Sequence, residues 1–596
     1  MSIVAAAALH GVAALVILAA LSMVGFAAMP ASIRPGRAAL AIPASLAAGT
    51  LAVGWCSWIA GTFIGTAAIV PLFAIAAIAS LVRAREWARN ARRCFALIIK
   101  LAKANPVATI VIALLVIASL PQLLLPLVDS DGLAYHVALP KLFLLTGHVW
   151  YVPWTFAGAL PQTLEMIYLV ALRVAGGETA KFIHFGFFLA SLGTLAVATY
   201  RPRMRSAAML APMLYAAAPV VLAPASAAFT DHAAVFCVIA ATLLLFRRSS
   251  LVSAGIALGA AVAIKVTVAP AVAGLVIWTI VARRRFLPLF VPVVVAFLPY
   301  GIRNVAHTGD PIFPISYIAL HRPVPGIPAQ RVAYASEFHS RVPGALGIAW
   351  LQGRADVQPD EVAGLHHALG LFAIALAIWF RWSRRWLALV LPPLALALLF
   401  HPPTRLLLPM FIGLAPLEAY ALVIIAKRWA TPIAIVAAAP ALIASITVTL
   451  TAFRPADLLL GRVDRTQFLA TRVPGFRASE LVNRQPPGGW VMALDFPAPY
   501  YFDRPWIAEG ILNVPPLRQW IADAGTADDV LRRLRDANVR YIVVTPGYGG
   551  GTRASLLPLA ENPREAAIIV ELRRHLVLMQ TLDHTDVLEL PAHPAE

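Results

Sequence analysis

Apolar runs of about 20 residues recur along the first three quarters of the chain, separated by short polar loops. That period belongs to helices crossing a bilayer and makes strands unlikely to span it. The runs lie at about 3–29, 38–58, 62–82, 105–128, 178–199, 206–226, 231–246, 251–265, 266–282, 286–302, 364–380, 386–401, 404–426 and 431–452. They predict roughly fourteen spans. The hairpin 251–282 has a short first arm and is the one expected to stop below the outer surface. The first run has no basic residues before it, so it reads as a retained span and not as a cleaved leader.

The polar breaks orient the spans. Arg34/Arg37, the run 83–93, Arg201/Arg203/Arg205, Arg247/Arg248, Arg283–Arg285, the run 381–385 and Lys427/Arg428 form the basic loops. Short basic loops mark the cytoplasmic side. Four segments then fall outside: the loop 129–177, the turn around Asp231, the loop 303–363 and everything after about 453. Within the first loop, "PQTLEMIYLVALRVAGG" (161–177) carries Glu165 and Arg173 and is too short to span comfortably. It predicts a helix lying in the interface.

After residue 453 the pattern changes. This tail holds 17 of the 29 acidic residues and no lysine. "WVMALDF" (490–496), "RYIVVTP" and "TDVLEL" (585–590) read as strands, and "TADDVLRRLRDANV" (526–539) reads as a helix with Thr526 as N-cap. The predicted fold class is a polytopic all-α membrane bundle of about 13–14 spans with a small extracytoplasmic α/β domain. Three units follow: extra N-terminal helices and a basic loop over 1–104, a core over 105–452, and the tail 453–596.

Composition supports this. The chain is 60% hydrophobic and 13% charged, where soluble domains are about 45–50% apolar and about 25% charged. A net charge of +19 raises nucleic acid as a partner. The basic residues, however, sit in short loops between apolar runs, so none is expected. Cys56, Cys94 and Cys237 offer neither a disulfide framework nor metal-ligand spacing.

Only 12 acidic residues occur before 453, which makes their positions informative. Asp129 and Asp131, in "LVDSDGLAYHVALPK" (127–141), stand at the outer end of a span, and Asp231 stands at the outer start of another. Helix N-capping would explain Asp131 and Asp231 without chemistry. Carboxylates at the bilayer edge more often face a cavity and have a task. If the chain is extended through 129–131, both carboxylates face one side; if a helix begins near Asp131, then Asp131 and Tyr135 share a face. His136 would lie beside them and Lys141 further along. Lys265 sits between two apolar arms with no acidic neighbour in sequence. It either snorkels as a turn residue or meets a phosphate, in which Arg303 and Arg405 would join it.

"DSDGLAYHVALPK", "LPQTLEMIYLVALRVAGG", "FTDHA", "GIALGAAVAIKVT", "RNVAHTGDPIFP" and "TRLLLP" follow one another in the order of landmarks in GT-C type membrane glycosyltransferases. The chain resembles that family over about 105–452, with relatives of the lipid A aminoarabinose transferase and the protein O-mannosyltransferases (family 39-like) as its kin. The three spans before residue 105 are extra to the common core. The resemblance implies a bacterial inner-membrane enzyme with a polyprenyl-phosphate-linked sugar donor and an envelope glycan, lipid or protein as acceptor. It puts an acidic catalytic residue in the first outer loop, here Asp131 or Asp129, and a later one at Asp231. Many members have an Asp-Glu or Glu-containing pair in that loop; this chain has Asp-Ser-Asp. The mechanism expected is inverting transfer with Asp131 as general base. Asp129 and Asp231 would orient the acceptor or bind a divalent cation, Tyr135 and His136 would contact the sugar, and Lys265, Arg303 and Arg405 would stabilise the leaving phosphate. A non-catalytic scaffold and a transporter of lipid-linked sugar are the alternatives. A transporter should show paired broken helices in two matched halves, and the sequence shows no such symmetry. A nucleotide-sugar enzyme is disfavoured because no soluble cytoplasmic nucleotide-binding domain is present.

Overall fold

The computed structural model describes residues 3–591 except 284, 320–366, 368, 381–382, 401–403, 453, 509–515, 546–555, 557–558 and 561. Most of the predicted loop 303–363 and the start of the predicted span 364–380 lie outside the described residues. Each predicted span is otherwise occupied by helix. The first fourteen helices are α1 (Ile3–Ala28), α2 (Ala38–Phe63), α3 (Ile69–Ser80), α4 (Ala84–Ala104), α5 (Pro106–Leu123), α6 (Ala138–Thr146), α7 (Thr163–Val174), α8 (Thr179–Thr199), α9 (Ala207–Ala217), α10 (Pro219–Ala225), α11 (Asp231–Phe246), α12 (Leu251–Ile264), α13 (Ala269–Arg283) and α14 (Leu287–Thr308). Ile315–Ala319, Leu369–Trp379, Leu387–Phe400, Leu408–Ala426 and Ala430–Ala452 follow. Among the described residues, seven helices are long and apolar enough to cross a membrane, and shorter apolar helices such as Asp231–Phe246 and Leu251–Ile264 pack among them. The chain is a multi-pass membrane protein.

Local sequence explains the departures from plain spans. The predicted span 206–226 is a bent pair, α9 and α10, with 74° between them. Pro219 opens α10 and Ala218 before it is extended, as expected where proline removes a donor and disfavours helix at the preceding residue. The α1 and α2 helices approach closely at glycines: a Cβ on Gly49 would collide with the Leu21 carbonyl. Small residues at such crossings let helices pack without an apolar driving force between them.

The segment predicted to lie in the interface does not. The α7 helix is buried from Thr163 to Ala171, Glu165 included, and packs on α2, α6 and α8. Apolar residues surround it on every side, which is the mark of a buried helix and not of an amphipathic surface one.

The tail forms the predicted α/β domain. Its sheet has β1 (Trp490–Leu494), β2 (Trp506–Ala508), β3 (Val539–Val544), β4 (Val577–Leu582) and β5 (Thr585–Glu589), in the order β2-β1-β3-β5-β4. The β1 strand pairs in parallel with β2 and β3, and β5 antiparallel with β3 and β4. Thr526 caps the helix Ala527–Asp536 in a reciprocal box with Asp529. The β2 and β4 strands were not foreseen; β2 spans three residues, and β4 is an edge strand with an exposed face.

The domain is tied to the first loop of the core. Lys141 Nζ donates to the Tyr500 carbonyl at 2.8 Å and to Asp503 at 2.7 Å. Arg465 pairs with Glu178 at 2.5 Å, and the Tyr501 hydroxyl donates to the Leu127 carbonyl at 2.6 Å.

Candidate active site

The site begins where α5 ends. Lys181 of α8, 2% exposed, donates to the carbonyls of Gln122 at 2.7 Å and Leu125 at 2.9 Å. An ammonium there adds a donor at the C-terminal end of α5, where carbonyls carry partial negative charge. The chain then leaves helical geometry until Ser130. Gly132–His136 forms a π-helical turn, an irregularity frequent at functional sites. Gly132 is required for it, because a Cβ there would run into the Asp129 carboxylate. Of the two backbone alternatives the helical one holds. Asp131 is the helical N-cap of the π turn that holds Tyr135, and the two side chains act on each other.

Two ion pairs close the site. Arg405, on the turn Thr404–Leu407, donates to Asp131 Oδ2 at 2.5 Å and lies 4.5 Å from the Phe229 ring centre. Lys265 occupies the extended break after α12, with φ −151° and ψ 117°. It donates to Asp231 Oδ2 at 2.8 Å. The break turns the lysine inward to a carboxylate, so it is not a turn residue reaching for the surface. Arg405 and Lys265 each act electrostatically on both carboxylates. Residues from four distant segments of the chain thus form one cluster.

The neighbouring aspartates differ in character. Burial alone would raise the Asp131 carboxyl, but Arg405, then His136 and Lys265, more than offset it and hold the group below the usual carboxylate range. Asp129 accepts the Ala228 N–H at 3.2 Å. Burial raises its carboxyl, and Lys181 and the backbone donors offset this only in part.

Other predicted residues are placed differently. Arg303 is buried and donates to the Leu160 carbonyl at 2.9 Å, to Gln162 and to Asn304. It fastens the start of α7 to α14. Lys141 holds the C-terminal domain, as described above. His136 is buried beside Tyr135 and meets Glu165 at 2.7 Å. Glu165, expected in a helix at the interface, is inside the bundle; the signal for that is the apolar residues on every side of α7. His184 of α8, also unforeseen, accepts the His232 N–H at 3.0 Å next to Asp231.

Asp129 and Asp231 were the candidates for holding a divalent cation. Among the described residues no group of three or more His, Cys, Asp and Glu side chains is placed to hold a metal ion. Asp231 faces the Lys265 ammonium and Asp129 a backbone N–H, so this donor set does not suit a cation.

An apolar groove of about 810 Å³ lies between α12, α13 and α14. Val262, Ala269, Ile277, Phe297 and Val305 are among its walls. Val262 and Ala269 stand on either side of Lys265 in sequence, so the segment that carries the lysine joins two helices that line the groove.

No protein-family model and no curated protein matches the chain in sequence. Solved structures do match. ArnT from Cupriavidus metallidurans in the apo state is 15% identical, with a TM-score of 0.50 over 82% of this chain and 99% of that one. The same protein bound to undecaprenyl phosphate is 15% identical with a TM-score of 0.49, over 81% and 98%. The Archaeoglobus fulgidus oligosaccharyltransferase in the apo form is 13% identical with a TM-score of 0.42, over 73% and 69%. The likeness to apo ArnT is one of fold, and the fold of this chain is that of a GT-C type membrane bundle with a small appended α/β domain.

Proposed function

We propose that the chain is a membrane glycosyltransferase that moves a sugar from a polyprenyl-phosphate carrier to an acceptor on the outer side of the bacterial inner membrane. The observation that carries this reading is the pair of salt bridges Asp131–Arg405 and Asp231–Lys265, with Lys265 on the segment that joins α12 and α13, two walls of an apolar groove. The groove suits a prenyl chain, and the two cations suit the phosphate at its end. Arginine offers a planar fork to phosphate oxygens, and lysine adds a compact charge.

The ion pairs suggest how reaction is coupled to binding. An arriving phosphate competes with Asp131 for Arg405 and with Asp231 for Lys265. Once Arg405 turns to the phosphate, Asp131 is released to accept the proton of the acceptor hydroxyl or amine. The acceptor attacks the anomeric carbon from the face opposite the phosphate, which inverts that carbon. The carbon–oxygen bond to phosphate breaks, and its electron pair leaves on the polyprenyl phosphate. Arg405 and Lys265 stabilise the charge that develops there. Asp231 orients the acceptor, and Tyr135 lies within reach of the sugar hydroxyls.

The test is to incubate the purified protein in lipid vesicles with labelled polyprenyl-phosphate sugars and an envelope extract as acceptor. Release of polyprenyl phosphate with label on the acceptor is expected. Passage of intact lipid-linked sugar without release would indicate a transporter. Neither release nor passage would indicate a scaffold.

A further inference from the structure

The His136 ring bonds Glu165 through Nδ1 at 2.7 Å, and both side chains are buried. Nε2 of His136 and the second oxygen of Glu165 have no hydrogen-bond partner among the described residues. Buried polar atoms are nearly always paired, so two orphans on one pair call for a reason. The ring sits on the π-helical turn Gly132–His136, whose N-cap is Asp131. A histidine whose Nδ1–H is held by a carboxylate has a fixed tautomer with the Nε2 lone pair free, which is the arrangement that accepts protons.

We infer that Glu165 and His136 form a proton-accepting dyad, in which His136 Nε2 takes over from Asp131 the proton that the acceptor gives up. This rests on the transferase reading above. The step balances as follows. The acceptor O–H or N–H proton passes to Asp131 as the new bond to the anomeric carbon forms and the bond to phosphate breaks. The proton then moves from Asp131 to Nε2, leaving an imidazolium beside the Glu165 carboxylate and restoring the Asp131 anion. The imidazolium returns its proton to the departing phosphate or to water. Asp131 alone is a poor final holder, because Arg405 and Lys265 favour its ionised form. Glu165 acts through His136 and is a positioning residue. The titratable and charged groups around the ring are Asp131 and Tyr135 on its own turn, Glu165 on α7 and His184 on α8, with Arg405, Lys265 and Asp231 behind Asp131.

The bundle contains a control. His367 and Glu418 form a second buried pair at 2.8 Å, with His367 against Phe411. Glu418→Gln should change thermal stability and leave the pH profile of transfer alone.

The experiment measures lipid-phosphate release against pH for wild type, Glu165→Gln, Glu165→Asp, His136→Gln and Glu418→Gln, all in vesicles. Thermal unfolding and helical content are recorded in parallel. Glu165→Gln should lower kcat by about 10²-fold with the donor KM unchanged. It should also move the acidic limb of the profile to lower pH, because the charge that favours the imidazolium is gone. His136→Gln should remove that limb, and Glu165→Asp should restore much of kcat. If folded Glu165→Gln and His136→Gln keep the wild-type kcat and profile, the dyad is overturned and the transferase reading stands. If wild type releases no lipid phosphate, the transferase reading fails and the dyad fails with it. A shift equal to that of Glu418→Gln would make the pair structural and overturn the dyad as well.

Discussion

At the arginine end of the bundle, Arg247 donates to the carbonyls of Val197 and Tyr200, at the end of α8. Arg385 donates to the Phe246 carbonyl, the last of α11, and lies 4.2 Å from the Phe246 ring centre. At the opposite end, Arg405 and Lys265 instead face the carboxylates of Asp131 and Asp231. One end uses cations to close helix termini, where positive charge is favoured by the exposed carbonyls. The other end sets cations against anions, which in the proposed mechanism a phosphate displaces. Membrane topology accounts for basic residues at one end only; on the proposed reading, the carboxylates that face the cations at the other end mark it as the reactive one.

The largest test of that contrast in stability is Lys265→Met. It leaves the Asp231 carboxylate buried and unpaired, which should cost about 3–5 kcal/mol. Adding Asp231→Asn should recover part of the loss, and thermal unfolding in detergent measures both. If Lys265→Met is as stable as wild type, the pair is not the buried contact described here.

The two aspartates of the first loop should respond to pH with opposite signs. The Asp131 carboxyl is held below its unfolded value, so it contributes stability above the ordinary carboxylate range, and this is lost as pH falls through its folded value. Asp131→Asn should therefore lower the melting temperature at neutral pH, and the gap should close in acid. The Asp129 carboxyl is raised, so its ionised form opposes folding above its folded value. Asp129→Asn should raise the melting temperature at neutral pH. A melting series from neutral pH into the acid range reads both, and like signs would contradict the contrast between the two groups.

The smallest effect is expected at the other end. Arg247→Met removes two hydrogen bonds to carbonyls and should cost about 1 kcal/mol, with lipid-phosphate release unchanged. A large loss of turnover would erase the distinction between the ends.

The sequence showed the spans and the cluster for one reason: charge is rare in this chain. Each isolated carboxylate or lysine between apolar runs had to face something, and Asp131, Asp231, Lys265 and Arg405 face one another. Scarcity does not give direction, however. Arg303 and Lys141 look as isolated as Lys265, yet one fastens α7 to α14 and the other holds the C-terminal domain. Glu165 was hidden because α7, at twelve residues, is too short to span, and that length outweighed the apolar residues on every side of it. The bend before Pro219 and the Gly132 contact with Asp129 depend on packing between segments far apart in sequence.

The central claim is tested most directly by side-by-side turnover of wild type and Asp131→Asn in vesicles with a labelled polyprenyl-phosphate sugar. The account predicts release of polyprenyl phosphate by wild type and a loss of roughly 10²–10⁴-fold in the folded, membrane-inserted variant. Equal release by the two proteins would contradict it.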